Sequence, residues 1–99
     1  MYVELSTVYD DGYFVGKVFE DNTSKNYLEF MWSPIDGWGA IIAKVDGKSF
    51  KRDNLRYSWK RSGRGRAKEE TWNKLYEMQQ FFIDNSESLL LKGKEYLTK

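Results

Sequence analysis

Ala40-Ile41-Ile42-Ala43-Lys44-Val45-Asp46-Gly47-Lys48-Ser49-Phe50-Lys51-Arg52 joins an apolar run to a basic one through an Asp-Gly pair. The pair suits a two-residue type I′ turn, which needs positive φ at both central positions. Gly39 or Ala40 to Val45 therefore reads as one strand, and Lys48 to Arg52 as its antiparallel return. Working back from this hairpin, Tyr2 to Tyr9 is rich in β-formers and ends at Asp10-Asp11-Gly12, another turn signal. Tyr13 to Glu20 follows, with Phe14, Gly16 and Val18 on one face and Tyr13, Val15, Lys17 and Phe19 on the other. Asp21 to Lys25 is polar and turn-like, and Asn26 to Trp32 reads as a third strand. Working forward, Leu55 to Lys60 forms a further strand after Asp53-Asn54.

The period then changes. Residues 61–66, Arg61-Ser62-Gly63-Arg64-Gly65-Arg66, hold no apolar side chain and two Gly, which predicts a flexible basic loop. From about Ala67 the apolar spacing is helical. Trp72, Leu75, Tyr76, Phe82 and Ile83 share one face, which Met78 and Phe81 widen. Asp84-Asn85-Ser86 interrupts the helix, and a second helix runs from about Glu87 to Leu97 with Leu89, Leu90, Tyr96 and Leu97 on its face. Gly93 weakens the middle of that helix by ~1 kcal/mol relative to Ala. The 99 residues suffice for a single domain, residues 1–99. The fold class is α+β: an antiparallel β-meander of about five strands followed by two C-terminal helices. The strands admit two arrangements, an open sheet or a small SH3-like barrel. No crossover helix separates them, which argues against a parallel sheet.

Composition removes several chemistries. The chain has neither Cys nor His. A disulfide, a Ser-His-Asp triad, a Cys-His dyad and a His-ligated zinc site are thus excluded within one chain. Asp10-Asp11 and Glu20-Asp21 fall at turns, where Asp is favoured for local hydrogen bonding, and no third carboxylate has telling metal-ligand spacing. Glu69-Glu70 suit the positive end of a helix dipole. The expectation is a non-enzymatic protein with no metal and no cofactor. No apolar run approaches the ~20 residues of a membrane span, and the N-terminus lacks the charged and apolar regions of an export signal. A cytoplasmic location is expected.

The charge layout carries the functional expectation. Of sixteen Lys and Arg, ten lie between residues 44 and 68: Lys44, Lys48, Lys51, Arg52, Arg56, Lys60, Arg61, Arg64, Arg66 and Lys68. Only Asp46 and Asp53 oppose them there, while the net charge of the chain is +1. Local potential, more than net charge, steers an anionic partner. Alternation along Leu55 to Lys60 sends Leu55, Tyr57 and Trp59 one way and Arg56, Ser58 and Lys60 the other. Lys48, Lys51 and Arg52 extend that row, and Arg61, Arg64, Arg66 and Lys68 continue it. The planar guanidinium fork suits phosphate. A nucleic acid, DNA or RNA, is the partner this pattern favours. An acidic surface on a protein complex is the alternative, and a solvated outer face is the plain reading.

Trp59 beside Lys60 and Arg61 is a candidate for base stacking, weighed equally against a place in the core. Tyr57 and Trp72 belong to the core on their predicted inner faces. Trp32-Ser33-Pro34-Ile35-Asp36-Gly37-Trp38 offers Trp32, Ile35 and Trp38 as a protein anchor, against a plainer inward fold of both Trp. Small domains free of His and Cys and rich in Tyr, Trp, Asn, Asp and Lys are common among phage accessory proteins that inhibit host enzymes or defence complexes. That composition supports the second reading, an inhibitor or adaptor using the basic strip and the Trp loop.

Overall fold

The computed structural model describes residues 1–9, 12–23, 25–33, 37–52, 59–62 and 67–97. Six strands precede two helices: β1 (Tyr2–Val8), β2 (Phe14–Phe19), β3 (Tyr27–Ser33), β4 (Gly37–Val45), β5 (Lys48–Arg52), β6 (Trp59–Ser62), α1 (Glu69–Asp84) and α2 (Ser86–Leu97). The strands form one antiparallel sheet in chain order. The architecture is α+β, as the change of period predicts.

The hairpin that opens the sequence reading takes the expected form. Asp46 and Gly47 have φ of 50° and 75°, and Val45 pairs with Lys48 across the two-residue turn. Gly12, with φ of 93°, closes the first hairpin, its N–H donating to Tyr9 O at 3.0 Å. A bulge between Glu29 and Phe30 lets Ile42 and Ala40 pair with them in turn, leaving Ile41 as the extra residue of β4. Ala40 and Ala43, three apart, thereby both reach the core.

One face of the sheet carries Phe14, Val18, Leu28, Phe30, Ala40, Ala43, Val45 and Phe50, all buried. The helices lie across this face. Phe82 of α1 tilts against Phe30 with centroids 5.0 Å apart, and Trp72 meets Phe50 edge-on at 4.7 Å. Leu75 and Met78 of α1 and Leu89 of α2 complete the core. Each fully buried apolar side chain contributes on the order of 1.5–3 kcal/mol. The four buried Phe therefore outweigh the surface ion pairs, whose worth is at most about 1 kcal/mol each.

Several expectations need correction. The sheet is open, not a barrel, because the helices fill the place that a barrel's opposite wall would take. Arg61 and Ser62 belong to β6, paired with Phe50 and Ser49, so they are not loop. The last strand starts at Trp59 among the described residues; Leu55, Arg56 and Tyr57 lie outside them. On α1 the buried stripe is Thr71, Leu75, Met78 and Phe82. Tyr76 is 52% exposed, its ring stacked on Trp72. The apolar spacing identified the helix and most of its inner face, since Trp72, Phe81 and Ile83 also pack on the core; Thr71 joins that face and Tyr76 leaves it.

The break at Asp84-Asn85-Ser86 is a tight corner. Asn85 caps α1, with its Nδ2 donating to Phe81 O at 2.8 Å, and α2 begins at Ser86. The corner brings α2 back over β2, where Gly93 is buried against the Phe14 ring. A Cβ at position 93 would overlap that ring. Gly93 is thus a contact residue, which outweighs its weak helix propensity.

Gly93→Ala should lower stability by about 1–2 kcal/mol in urea unfolding, since overpacking exceeds the ~1 kcal/mol propensity gain. Phe14→Leu in the same chain should recover part of the loss. Equal or higher stability for Gly93→Ala alone would mean that α2 does not rest on Phe14.

Candidate nucleic-acid interface

Alternation along each strand assigns the opposite face of the sheet. With Phe14, Val18, Leu28, Phe30, Val45 and Phe50 turned to the helices, their neighbours turn away. Both helices lie on the core side, so among the described residues nothing covers this outer face. Two cross-strand rows cross it. The first runs Tyr2, Phe19, Tyr27, Lys44 and Ser49 by successive register pairs. The second runs Glu4, Lys17, Glu29, Ile42, Lys51 and Lys60.

The basic end of this face lies on β4, β5 and β6. Lys44, Lys51 and Lys60 are all exposed there. Lys51 and Lys60 are direct register partners. Adjacent strands lie ~4.8 Å apart, and like charges placed directly opposite destabilise a sheet. Lys44 enters the site from the neighbouring strand. It belongs to the basic segment but falls outside the row drawn from sequence, since the bulge at Ile41 decides which face the end of β4 presents.

The opposite end is aromatic. Tyr2 and Phe19 stack with centroids 5.1 Å apart and planes 17° from parallel, and Phe19 and Tyr27 sit at 6.3 Å with a 55° tilt. The Lys17 ammonium lies 4.6 Å above the Tyr27 ring and 4.0 Å from Glu29 Oε2. The sequence reading assigned Phe19 and Lys17 a common face without recognising that Tyr2 and Tyr27 would flank them. The signal was available in the hairpin register.

The remaining sequence candidates separate. Alternation places Lys48 with Phe50, on the core side of β5, and the residue is half-buried at the hairpin end. Arg52 is half-buried as well. Its Nε is enclosed, and its Nη1 lies 3.0 Å from where a Cβ on Gly39 would sit. Lys48 and Arg52 therefore do not extend the row with Lys51, because residues an odd number apart on a strand face opposite ways. Lys68 is exposed just before α1, at its N-cap. Arg61 pairs through its backbone with Phe50. Arg56, Arg64 and Arg66 lie outside the described residues.

Trp59 resolves to the core side. It packs against the hydrophobic cluster, and its indole N–H donates to Gln79 Oε1 on α1. That bond fastens β6 to the helix and takes the ring out of any stacking role on the outer face. Trp32 is 8% exposed and stacked on Phe14 at 4.9 Å, so it folds inward and is no surface anchor. Trp38 pairs with Trp32 through the backbone, and Ile35 lies outside the described residues.

The carboxylates among the described residues are structural; Asp10 and Asp11 lie outside those residues. Asp21 Oδ1 accepts from Thr23 N at 2.9 Å and Thr23 Oγ1 at 3.0 Å, a local turn. Glu20 accepts from Asn26 Nδ2 at 2.6 Å. Lys74 of α1 reaches Asp46 Oδ1 at 3.1 Å and Glu20 Oε1 at 4.0 Å, while Thr71 Oγ1 donates to Asp46 Oδ2 at 3.0 Å. Asp46 N donates to Asn26 Oδ1 at 2.9 Å. Asp46, one of two acids in the basic segment, is thus engaged by the helix. Among the described residues no group of three Asp, Glu, His or Cys is placed to hold a metal ion. No described helix is long and apolar enough to cross a membrane. The chain matches no family model, no curated protein and no solved structure.

The Asp46 cluster makes a pH prediction. The hydrogen bond from Lys74 holds the Asp46 carboxyl below its ordinary 3.8, and that from Thr71 adds to the effect. The same bond, with Glu20 nearby, raises Lys74 above 10.5. The carboxylate contribution is present above pH 3.8 and is lost as pH falls through the lower folded value. The Lys74 contribution is present below pH 10.5 and is lost as pH rises past it. Asp46→Asn keeps a residue that tolerates the turn's positive φ but carries no charge. Urea unfolding should show wild type losing stability more steeply than Asp46→Asn from about pH 4 to pH 2. Parallel profiles would show that the Lys74 contact contributes nothing.

Proposed function

We propose that this is a small non-enzymatic protein that binds nucleic acid, contacting the phosphate backbone through the basic end of the open sheet face. The observation that supports this reading is the convergence of Lys44, Lys51 and Lys60 on one uncovered face. The direct pairing of Lys51 with Lys60 is the telling part. A sheet that needed only solubility would be served as well by alternating signs. Like charges on directly opposed positions repel, and a polyanion lying over both relieves part of that repulsion. A phosphate backbone supplies such anions at regular spacing, and its binding releases condensed counterions.

The inhibitor or adaptor reading rests on fewer features. Its anchor was to include Trp32, whose ring is stacked inside the fold on Phe14. An acidic protein surface would meet the same lysines, and the experiment below separates the two.

Anisotropy titrations of labelled oligonucleotides at two or more salt concentrations test the proposal. Three phosphate contacts should give a slope of log K against log salt of about −2 to −3. Lys51→Glu combined with Lys60→Glu should weaken binding at least tenfold and flatten the slope by about 1.5 to 2. No binding of any DNA or RNA at low salt would overturn the reading. A host-protein partner retained after nuclease treatment would favour the alternative.

A further inference from the structure

Resting on that reading, we propose that the nucleic acid is an unpaired strand, and that the row Tyr2, Phe19 and Tyr27 receives its bases. The aromatic row leads directly into Lys44 by register, and Lys51 and Lys60 stand in the adjoining row. Three rings on three successive strands lie beside three ammonium groups on the next three. A single strand offers both chemistries at once, phosphates for the lysines and base faces for the rings. In a duplex the bases are stacked on one another inside the helix, out of reach of rings lying on a sheet. An acidic protein surface would satisfy the lysines but has no matching need for a stacked aromatic row.

The ring geometry fits an extendable stack. Tyr2 and Phe19 are near parallel at stacking distance, and β1 is an edge strand. Among the described residues no further strand lies beyond the side of Tyr2 turned away from Phe19. A base laid there continues an existing stack. At the other end, Tyr27 presents its ring beneath the Lys17 ammonium, a cation beside an aromatic face. All three rings are half-buried, which leaves surface to offer and walls to hold them in place. Glu4 and Glu29 stand in the neighbouring row, with Glu29 engaged by Lys17. The positive end of the face is therefore the β4–β6 side, which orients the strand across the sheet from rings to lysines.

The test compares labelled dT15 and U15 single strands with a 15-base-pair duplex, using wild-type protein and the variant Tyr2→Leu with Tyr27→Leu. Leucine keeps apolar cover on the sheet and removes the π-faces. Wild type should bind the single strands at least about tenfold more tightly than the duplex. The variant should lose about tenfold or more per ring on single strands, with an unchanged salt slope, because stacking and phosphate contacts are separate terms. Preference for U15 over dT15 would point to the 2′-hydroxyl as a further contact, and equal binding to a strand of either sugar; both support the inference. Equal binding of duplex and single strand overturns it while leaving the phosphate reading intact, and needs no variant. Unaltered single-strand affinity in a folded double variant overturns it too. Failure of every nucleic acid to bind overturns both.

Discussion

The constraint on which the structure depends is that, among the described residues, two helices cover a six-stranded sheet. Alternation divides each strand's side chains between two faces. One face is strongly apolar, with Phe14, Phe30 and Phe50 fully buried among Val18, Leu28 and Val45. The amphipathic stripe of α1 and the short apolar face of α2 lie across it, and Phe82 and Leu89 close the core. Nothing described remains to cover the second face. Its composition must therefore be compatible with water or with a ligand, and it carries Lys, Glu, Ser and the Tyr2, Phe19 and Tyr27 rings beside Val15, Met31 and Ile42. The open face is a consequence of where the core is.

The attachment of α1 to the sheet is controlled at both ends by polar contacts. At one end Asp46, held at positive φ by the hairpin turn, receives Lys74 and Thr71. At the other, Trp59 of β6 donates to Gln79. These bonds are individually modest beside the burial of aromatic rings. Their value is in register. They tie the β4–β5 turn and the edge strand to fixed turns of one helix, which in turn fixes how Lys51 and Lys60 face each other. Deleting Gly93 as a contact residue would act through the same frame, since α2 reaches the sheet only where its backbone can approach Phe14.

Much of this was legible in the residues, and the failures have physical causes. Asp46-Gly47 announced its turn because few other pairs accept two positive φ angles, and the helical period after Ala67 was unmistakable. The inner face of β2 was also readable from Phe14, Gly16 and Val18. The bulge at Ile41 was not, since nothing local marks the extra residue, and with it went the placement of Lys44 in the site. Treating Lys48, Lys51 and Arg52 as one row ignored the period of two that had been applied correctly to the next strand. Trp59 could not be assigned because its fate depends on Gln79, twenty residues away on a helix. The aromatic row of Tyr2, Phe19 and Tyr27 was missed for a related reason. Each ring looks ordinary in its own strand, and only the hairpin registers bring them together.

An open sheet also has to avoid pairing with copies of itself, and the way this chain does so bears on how its surface is used. The β1 edge carries an irregularity between Leu5 and Thr7, where Ser6 Oγ donates to Val15 O at 3.1 Å. The other edge strand, β6, carries the exposed Lys60. Bulges, brevity and positive charge are the usual means of blunting an edge. With both edges discouraged from backbone pairing, the chemistry left for recognition is that of the side chains on the open face. Those side chains divide into rings at one end and ammonium groups at the other. A protective function alone would require the charge at the edges, and Lys44 on β4 and Lys51 on β5 stand inside the sheet. Edge protection does not call for cations at these interior positions, and the proposed ligand is accordingly one that lies across the strands.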